Sequence, residues 1–131
     1  MLKKFLTAGL LAALMLLPFA VFAKATTGDT LSGKASYYHD SLHGRQTASG
    51  EIYNKSAMTA AHKYLPLGTR VRVTNVKTGK SIKVKINDRG PFVKGRIIDL
   101  SRKAATKLGM IDKGIVNVKV EILSVPKRRG S

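Results

Sequence analysis

Three short segments in which apolar and polar residues alternate place the strongest constraint on how this chain folds. They are residues 70–74, 81–86 and 116–122, and each carries valine or isoleucine at every second position. A period of two puts successive side chains on opposite faces of a strand, so each segment predicts a strand with one buried face. The valine and isoleucine faces are therefore expected to point into the core.

Two further segments have strand character, and a turn joins two of the alternating strands. Residues 34–38 end in aromatic side chains, residues 97–98 are isoleucines, and residues 77–80 predict a hairpin turn. Exposed strand edges are a liability in a domain this small, because their unpaired backbone groups invite pairing with other chains. The pattern therefore favours a closed or nearly closed β-barrel.

Helical character is confined to one or two short segments. Residues 99–108 carry an apolar stripe, with Ser101 suited to the N-cap and Gly109 suited to the position just past the last turn. Residues 58–64 have room for one more helical turn before Pro66. The fold is expected to be mainly β, with one or two short helices.

The first 23 residues have the organisation of a cleaved export signal. Lys3 and Lys4 precede an apolar run at residues 5–17, and small residues end the segment at Ala23. The run is too short to span a bilayer as a permanent anchor. We expect cleavage after Ala23, with Ala25 as the second choice, and a protein that is periplasmic or secreted.

Charge and cysteine content narrow the classes of partner. Removing Lys3 and Lys4 leaves 22 basic residues against 7 acidic ones, a net charge of +15. Such a positive field attracts polyanions, and export makes an acidic cell-wall polymer a better partner than nucleic acid. The sequence contains no cysteine, so disulfides, thiolate metal sites and a lipidated cysteine are not expected. The mature protein is expected to be a monomer without a stable membrane anchor.

Because acidic residues are few, a carboxylate outside an ordinary surface position is a candidate for chemistry. Asp88 directly follows an alternating strand, at the start of a turn in residues 87–92. Gly90 permits a tight backbone, and Pro91 restricts the backbone that follows. From the residues alone, two readings of Asp88 remain open. It either caps this turn or pairs with Arg89, or it is a carboxylic acid on a rigid rim that donates and accepts a proton.

Two other residues are candidates, each with a structural alternative. Glu51 lies in a long polar loop, residues 39–55, and is either a functional acid or an ordinary exposed carboxylate. His62 has small neighbours and is either functional or a hydrogen-bonded structural histidine. His39 and His43 are four apart in a loop without an evident third ligand, so neither a metal site nor a cofactor is expected.

Taken together, these segments resemble those of the RlpA-like (rare lipoprotein A) family of exported proteins. The resemblance runs from about Gly33 to Leu123, nearly all of the chain that follows the export signal. The residues that carry it, in order, are Gly33-Lys34-Ala35-Ser36-Tyr37-Tyr38, residues 43–51, Thr59-Ala60-Ala61-His62-Lys63, residues 65–75, Asn87-Asp88-Arg89-Gly90-Pro91-Phe92 and Arg96-Ile97-Ile98-Asp99-Leu100-Ser101.

The resemblance implies a six-stranded double-psi β-barrel, related in shape to expansins, that works on peptidoglycan. Characterised members of the family are endolytic lytic transglycosylases, which prefer glycan strands without stem peptides and leave 1,6-anhydromuramoyl ends. The family's important positions fall here on Asp88, Glu51 and His62. The resemblance therefore implies that Asp88 is the catalytic acid and base, and that Glu51 and His62 line the same groove. The side chains expected to bind substrate are Tyr38, Arg45, Thr47 and Arg89.

The expected organisation is a signal peptide at residues 1–23, a flexible leader at 24–32, the barrel domain at 33–125 and a basic tail at 126–131. A non-catalytic cell-wall-binding module, comparable with expansins, is an open alternative, because it would use the same barrel and the same charge. The presence of all three site residues favours the enzyme, since binding alone needs no acid on the rim. A basic protein that binds polyanions without a specific glycan site is a third alternative.

Overall fold

Six strands close into a barrel in the computed structural model, which describes residues 25–127. The expected signal peptide and the last four residues of the basic tail lie outside the described residues. The elements in chain order are β1 (Thr30–Tyr37), β2 (Thr59–Ala61), β3 (Arg70–Asn75), β4 (Ser81–Asp88), β5 (Arg96–Leu100), α1 (Arg102–Leu108) and β6 (Val116–Ser124). Within residues 25–127, no helix is long and apolar enough to cross a membrane.

The order of the strands around the barrel differs from their order in the chain. Neighbours run β1-β5-β2-β4-β3-β6 and back to β1. The pairs β1–β5 and β2–β4 are parallel, and the other four pairs are antiparallel, of which β3–β4 is a hairpin. The connection from β1 to β2 therefore passes across β5, and the connection from β4 to β5 passes across β2. These two crossing loops belong to the predicted six-stranded double-psi barrel, which is confirmed.

The alternating segments point their apolar faces inward, as predicted. Val71, Val84 and Val118 are 0%, 2% and 1% exposed. Residues 77–80 form the predicted turn between β3 and β4, where Gly79 has a φ of 78° and its N–H donates to the Asn75 carbonyl. Burial of one face of every strand is the main stabilising contribution to a barrel of this size.

Helix α1 has the predicted caps but begins later than predicted. The Ser101 hydroxyl accepts a hydrogen bond from the Ala104 N–H, and Gly109 ends the helix in the left-handed conformation with a φ of 76°. Asp99 is not in the helix, because it pairs within β5. The only other helical piece among residues 25–127 is the short 3-10 turn Asp40–Leu42.

The expectation of a helical turn within residues 58–64 is wrong, and β1 begins inside the segment expected to be a leader, residues 24–32. Residues Thr59–Ala61 form β2, because Ala60 lies between Ile86 of β4 and Leu100 of β5 and completes the sheet on both sides. Tertiary pairing overrides local propensity in so short a segment. Strand β1 begins at Thr30, where it already pairs with Glu121 of β6.

Candidate functional site

Two carboxylates lie in one row of side chains that crosses four neighbouring strands. In the register of the sheet, Ser36 of β1 pairs with Asp99 of β5, and Asp99 also pairs with Ala61 of β2. On its other side, Ala61 pairs with Asp88 of β4. Neighbouring strands are about 4.8 Å apart, so the Asp88 and Asp99 backbones are separated by about 10 Å. Ile98 and Leu100 on either side of Asp99 are buried in the core, so the row faces outward.

Three hydrogen-bond donors hold the carboxylate of Asp88. The Tyr38 hydroxyl donates to Oδ2 at 2.5 Å, and the backbone N–H groups of Ala48 and Arg89 each donate to Oδ1 at 2.9 Å. The donors come from the end of β1, from the long loop and from the turn after β4. Because three separate segments converge on it, Asp88 has a defined position rather than the mobility of a surface carboxylate.

The long loop is itself ordered so that it presents Ala48 to Asp88. The Thr47 N–H and hydroxyl both donate to the Glu51 carbonyl, at 2.8 and 2.7 Å, which closes a tight turn over residues 47–51. Gly50 occupies the left-handed region of this turn with a φ of 92°. The Ser49 N–H donates to the Asn87 carbonyl at 3.1 Å, which fastens the turn to β4.

A cavity of about 200 Å³ opens beside Asp88. Three of the four predicted substrate-binding residues, Tyr38, Arg45 and Thr47, lie in its wall together with Asp88. Its complete lining is Tyr38, Leu42, Arg45, Gln46, Thr47, Tyr53 and Asp88.

Two stacked tyrosines form one wall of this cavity. The Tyr38 and Tyr53 rings lie 4.3 Å apart between centroids, at an angle of 16°. Tyr53 is buried, and its hydroxyl accepts a hydrogen bond from the Arg102 N–H at the start of α1. Burial, followed by the hydrogen bond to Asp88, raises the pKa of Tyr38, so this hydroxyl stays a donor. The sequence analysis did not identify Tyr53 as a site residue. Its aromatic ring in an otherwise polar loop was the feature that could have indicated a role.

The predicted catalytic residue Glu51 lies beside the loop turn, where its partners are Lys85 and Ser49 rather than Asp88. Lys85 Nζ donates to the Glu51 carboxylate at 2.9 Å, and the side chain remains about half exposed. This hydrogen bond is the largest contribution that lowers the pKa of Glu51. Glu51 does not line the cavity. Its backbone carbonyl closes the turn that carries Ala48.

The predicted residue His62 lies behind Asp88, buried rather than open to the cavity. Its Nδ1 accepts hydrogen bonds from the Tyr64 and Leu65 backbone N–H groups at 3.3 and 3.2 Å. The backbone N–H of His62 donates to the Asp88 carbonyl at 3.0 Å. Burial lowers the pKa of His62 to about 4, with smaller contributions from Arg89 and Lys63, so the ring is neutral at physiological pH.

The guanidinium of Arg89 is directed at backbone rather than at the cavity. Its Nη1 donates to the Leu65 carbonyl at 2.7 Å and to the His62 carbonyl at 3.2 Å. Arg89 and His62 thus fix the segment after β2 from two sides. The predicted substrate contact by Arg89 has no counterpart in the lining of the cavity.

Asp99 is the acidic residue of the site to which sequence reasoning assigned no role. Its carboxylate accepts a hydrogen bond from the Ser36 hydroxyl, which is itself almost fully buried. Burial raises the pKa of Asp99, and the charge of Asp88 adds to that rise, while Ser36 and Arg96 oppose it. The sequence feature that could have revealed this is Ser101. Because Ser101 is the N-cap, Asp99 must precede the helix, and it lies in strand β5.

The two loop histidines have local structural roles. His39 caps the 3-10 turn by accepting from the Ser41 N–H at 3.1 Å, and His43 accepts from the Lys55 N–H at 3.1 Å. Within residues 25–127, no three histidine or carboxylate side chains gather as a metal ion would require.

Comparison with known proteins identifies the family. A family model described as lytic transglycolase matches residues 30–120. The endolytic peptidoglycan transglycosylase RlpA of Pasteurella multocida is 51% identical over 106 residues, which cover 81% of this chain and 36% of the relative. The protein of the same name from Vibrio cholerae is 53% identical over 104 residues, covering 79% of this chain and 40% of the relative. The chain therefore spans well under half the length of these relatives.

Solved structures have the same barrel. The Streptomyces papain inhibitor superposes with a TM-score of 0.62 and 25% identity, covering 77% of this chain and all of the inhibitor. An expansin of Clavibacter michiganensis superposes with a TM-score of 0.58 and 24% identity, covering 76% of this chain and 53% of the expansin. At these identities the likeness speaks for the fold, which is found in proteins of different activities.

Proposed function

The chain belongs to the lytic transglycolase family that includes the RlpA transglycosylases, and from this membership we propose that it cleaves the glycan strands of peptidoglycan endolytically. The products are strands that end in 1,6-anhydromuramic acid. The observation that carries the proposal is the position of Asp88, an acid held by three donors in the wall of a cavity of about 200 Å³.

The chemistry of this reaction needs a single group that can give and then take a proton. The bond between C1 of the muramoyl residue and the oxygen of the next sugar breaks, and the acid protonates that leaving oxygen. The muramoyl C6 hydroxyl then attacks C1, and the same group accepts the proton that this hydroxyl loses. Because the nucleophile belongs to the substrate, the protein supplies no nucleophilic carboxylate and no water.

We assign this proton transfer to Asp88. The Tyr38 hydroxyl and the two backbone N–H groups hold its carboxylate, so a bound glycosidic oxygen meets a group of defined orientation. The Tyr38 ring beside it offers a flat surface for a sugar.

Glu51 and His62 support Asp88 rather than touch the reacting atoms in this proposal. Glu51 and Lys85 anchor the turn that carries the Ala48 N–H to Asp88. The neutral ring of His62 accepts from the Tyr64 and Leu65 N–H groups, while its backbone N–H donates to the Asp88 carbonyl. Both are positioning residues.

Asp99 lies in the same row as Asp88, and the Ser36 hydroxyl holds its carboxylate in place. Burial and the charge of Asp88 raise the pKa of Asp99. Asp99 does not line the cavity, so we assign it no step in the reaction.

The proposal is tested by incubating the purified protein with glycan strands from which stem peptides have been removed. Mass spectrometry is expected to detect new 1,6-anhydromuramoyl ends in shortened strands. Strand binding without any such ends would replace the enzyme with the non-catalytic wall-binding module.

The proposed function requires that the protein be exported across the cytoplasmic membrane. The relatives are named for action on peptidoglycan, which lies outside the cytoplasmic membrane, and residues 1–23 carry the signal pattern. We propose a periplasmic or secreted monomer without a stable membrane anchor, produced by cleavage after Ala23. The intact mass of the exported protein is expected to correspond to a chain that begins at Lys24. A mass that retains residues before 20, or an acyl group, would contradict this.

A further inference from the structure

Arg45 is a cation that shares the cavity with Asp88 and forms no ion pair with any residue in 25–127. Its backbone is fixed, because its N–H donates to the Leu42 carbonyl and its carbonyl accepts from the Tyr53 N–H at 2.7 Å. The residue lines the cavity and its side chain is exposed. A guanidinium in this position can receive an anionic group from a bound ligand.

The other cations around the site have protein partners. Arg89 donates to two backbone carbonyls, Lys85 pairs with Glu51 at 2.9 Å, and Arg102 lies 4.0 Å from Asp40. Among these cations, Arg45 therefore has guanidinium N–H groups that are available to a substrate bound in this cavity.

The proposed substrate carries one group that suits Arg45. Muramic acid has a lactyl ether on C3, only two ring atoms from the C1 at which the bond breaks. The lactyl carboxyl is an anion when no stem peptide is attached and a neutral amide when one is. Guanidinium and carboxylate form two parallel hydrogen bonds, a geometry that an amide cannot match.

We propose that Arg45 binds the free lactyl carboxylate of muramic acid and thereby selects strands without stem peptides. This inference rests on the proposed function for the identity of the glycan. A reaction that hydrolyses the lactyl–peptide amide must therefore precede cleavage by this protein.

The test compares two forms of one glycan oligosaccharide, with free lactyl carboxylates and with those carboxylates converted to methylamides. Binding is measured in the Asp88→Asn background, so that turnover does not interfere. The Asp88→Asn protein that retains Arg45 is expected to bind the carboxylate form about 10- to 100-fold more tightly than the methylamide form. This is the range for charge-assisted hydrogen bonds. Arg45→Gln is expected to bind both forms equally, and Arg45→Lys to keep part of the preference.

The matched control is Arg70→Gln, which removes the same charge from an exposed position on β3 outside the cavity. It is expected to retain the preference. If Arg45→Gln retains it too, or if both substitutions reduce it equally, the inference is overturned. If the protein with Asp88 intact releases no anhydromuramoyl ends but the preference still depends on Arg45, the proposed activity fails and the recognition stands.

Discussion

Asp88→Asn is expected to reduce the release of 1,6-anhydromuramoyl ends by about 100- to 10,000-fold, the usual contribution of a general acid and base. Asparagine keeps the size of the side chain, and its carbonyl oxygen can still accept from the Ala48 and Arg89 N–H groups. The transferable proton is lost, whereas the cavity remains. Product release is measured by mass spectrometry and binding of peptide-free strands by sedimentation, and binding is expected to remain.

Asp112→Asn provides the matched control for this variant. Asp112 is exposed in the turn before β6, so the same chemical change there is expected to leave both lysis and binding unaltered. Release of anhydromuramoyl ends by Asp88→Asn at the rate of the unsubstituted protein would show that another group transfers the proton.

Asp99→Asn is expected to raise the stability of the protein, by an amount that grows as the pH rises. The native pKa of Asp99 is raised above its unfolded value, so ionisation favours the unfolded chain. The stability associated with protonated Asp99 is complete below the unfolded pKa and is lost as the pH rises through the native pKa. Asparagine cannot ionise, and its carbonyl can still accept from Ser36.

Below the native pKa of Asp99, both proteins have a neutral group at position 99 and are expected to be equally stable. Above that pH, the unsubstituted protein carries a partly buried charge that the variant lacks, so the variant is expected to be the more stable of the two.

Urea unfolding between pH 4 and 8 measures this effect. Lower stability of the variant than of the unsubstituted protein at every pH would contradict the prediction. Asp112→Asn again serves as the control, with parallel curves expected at all pH values.

Much of the fold was predictable because the alternation of apolar residues has only one simple structural meaning. Residues 70–74 and 81–86 cannot bury their valines and isoleucines unless they form strands with the same inward face, and the turn between them follows from Gly79. The three residues of β2 carry no such pattern. Their pairing depends on β4 and β5, which are distant in the chain, so local reasoning left room for a helical turn there instead of a strand.

The candidate site was predictable only in part. Asp88 was identified because it follows a strand and precedes a glycine-proline turn, and Tyr38, Arg45 and Thr47 do line the cavity beside it. Glu51, His62 and Arg89 were grouped with them from motif positions. Motif position says that a residue matters to the site but not whether its side chain faces the ligand or the protein, and these three face Lys85, the backbone after β2 and two carbonyls.

The sequence by itself determined the strand faces, the helix caps, the net positive charge and the short list of acids. Each of these depends on residues that are close in the chain, for which spacing and side-chain chemistry are sufficient. Only the tertiary structure decided that Asp88 and Asp99 lie in one row and that Arg45 lines the cavity beside Asp88 without an ion-pair partner among residues 25–127. Those relations arise from parallel pairing between strands that the chain connects by crossing loops, and no local pattern encodes which strands become neighbours.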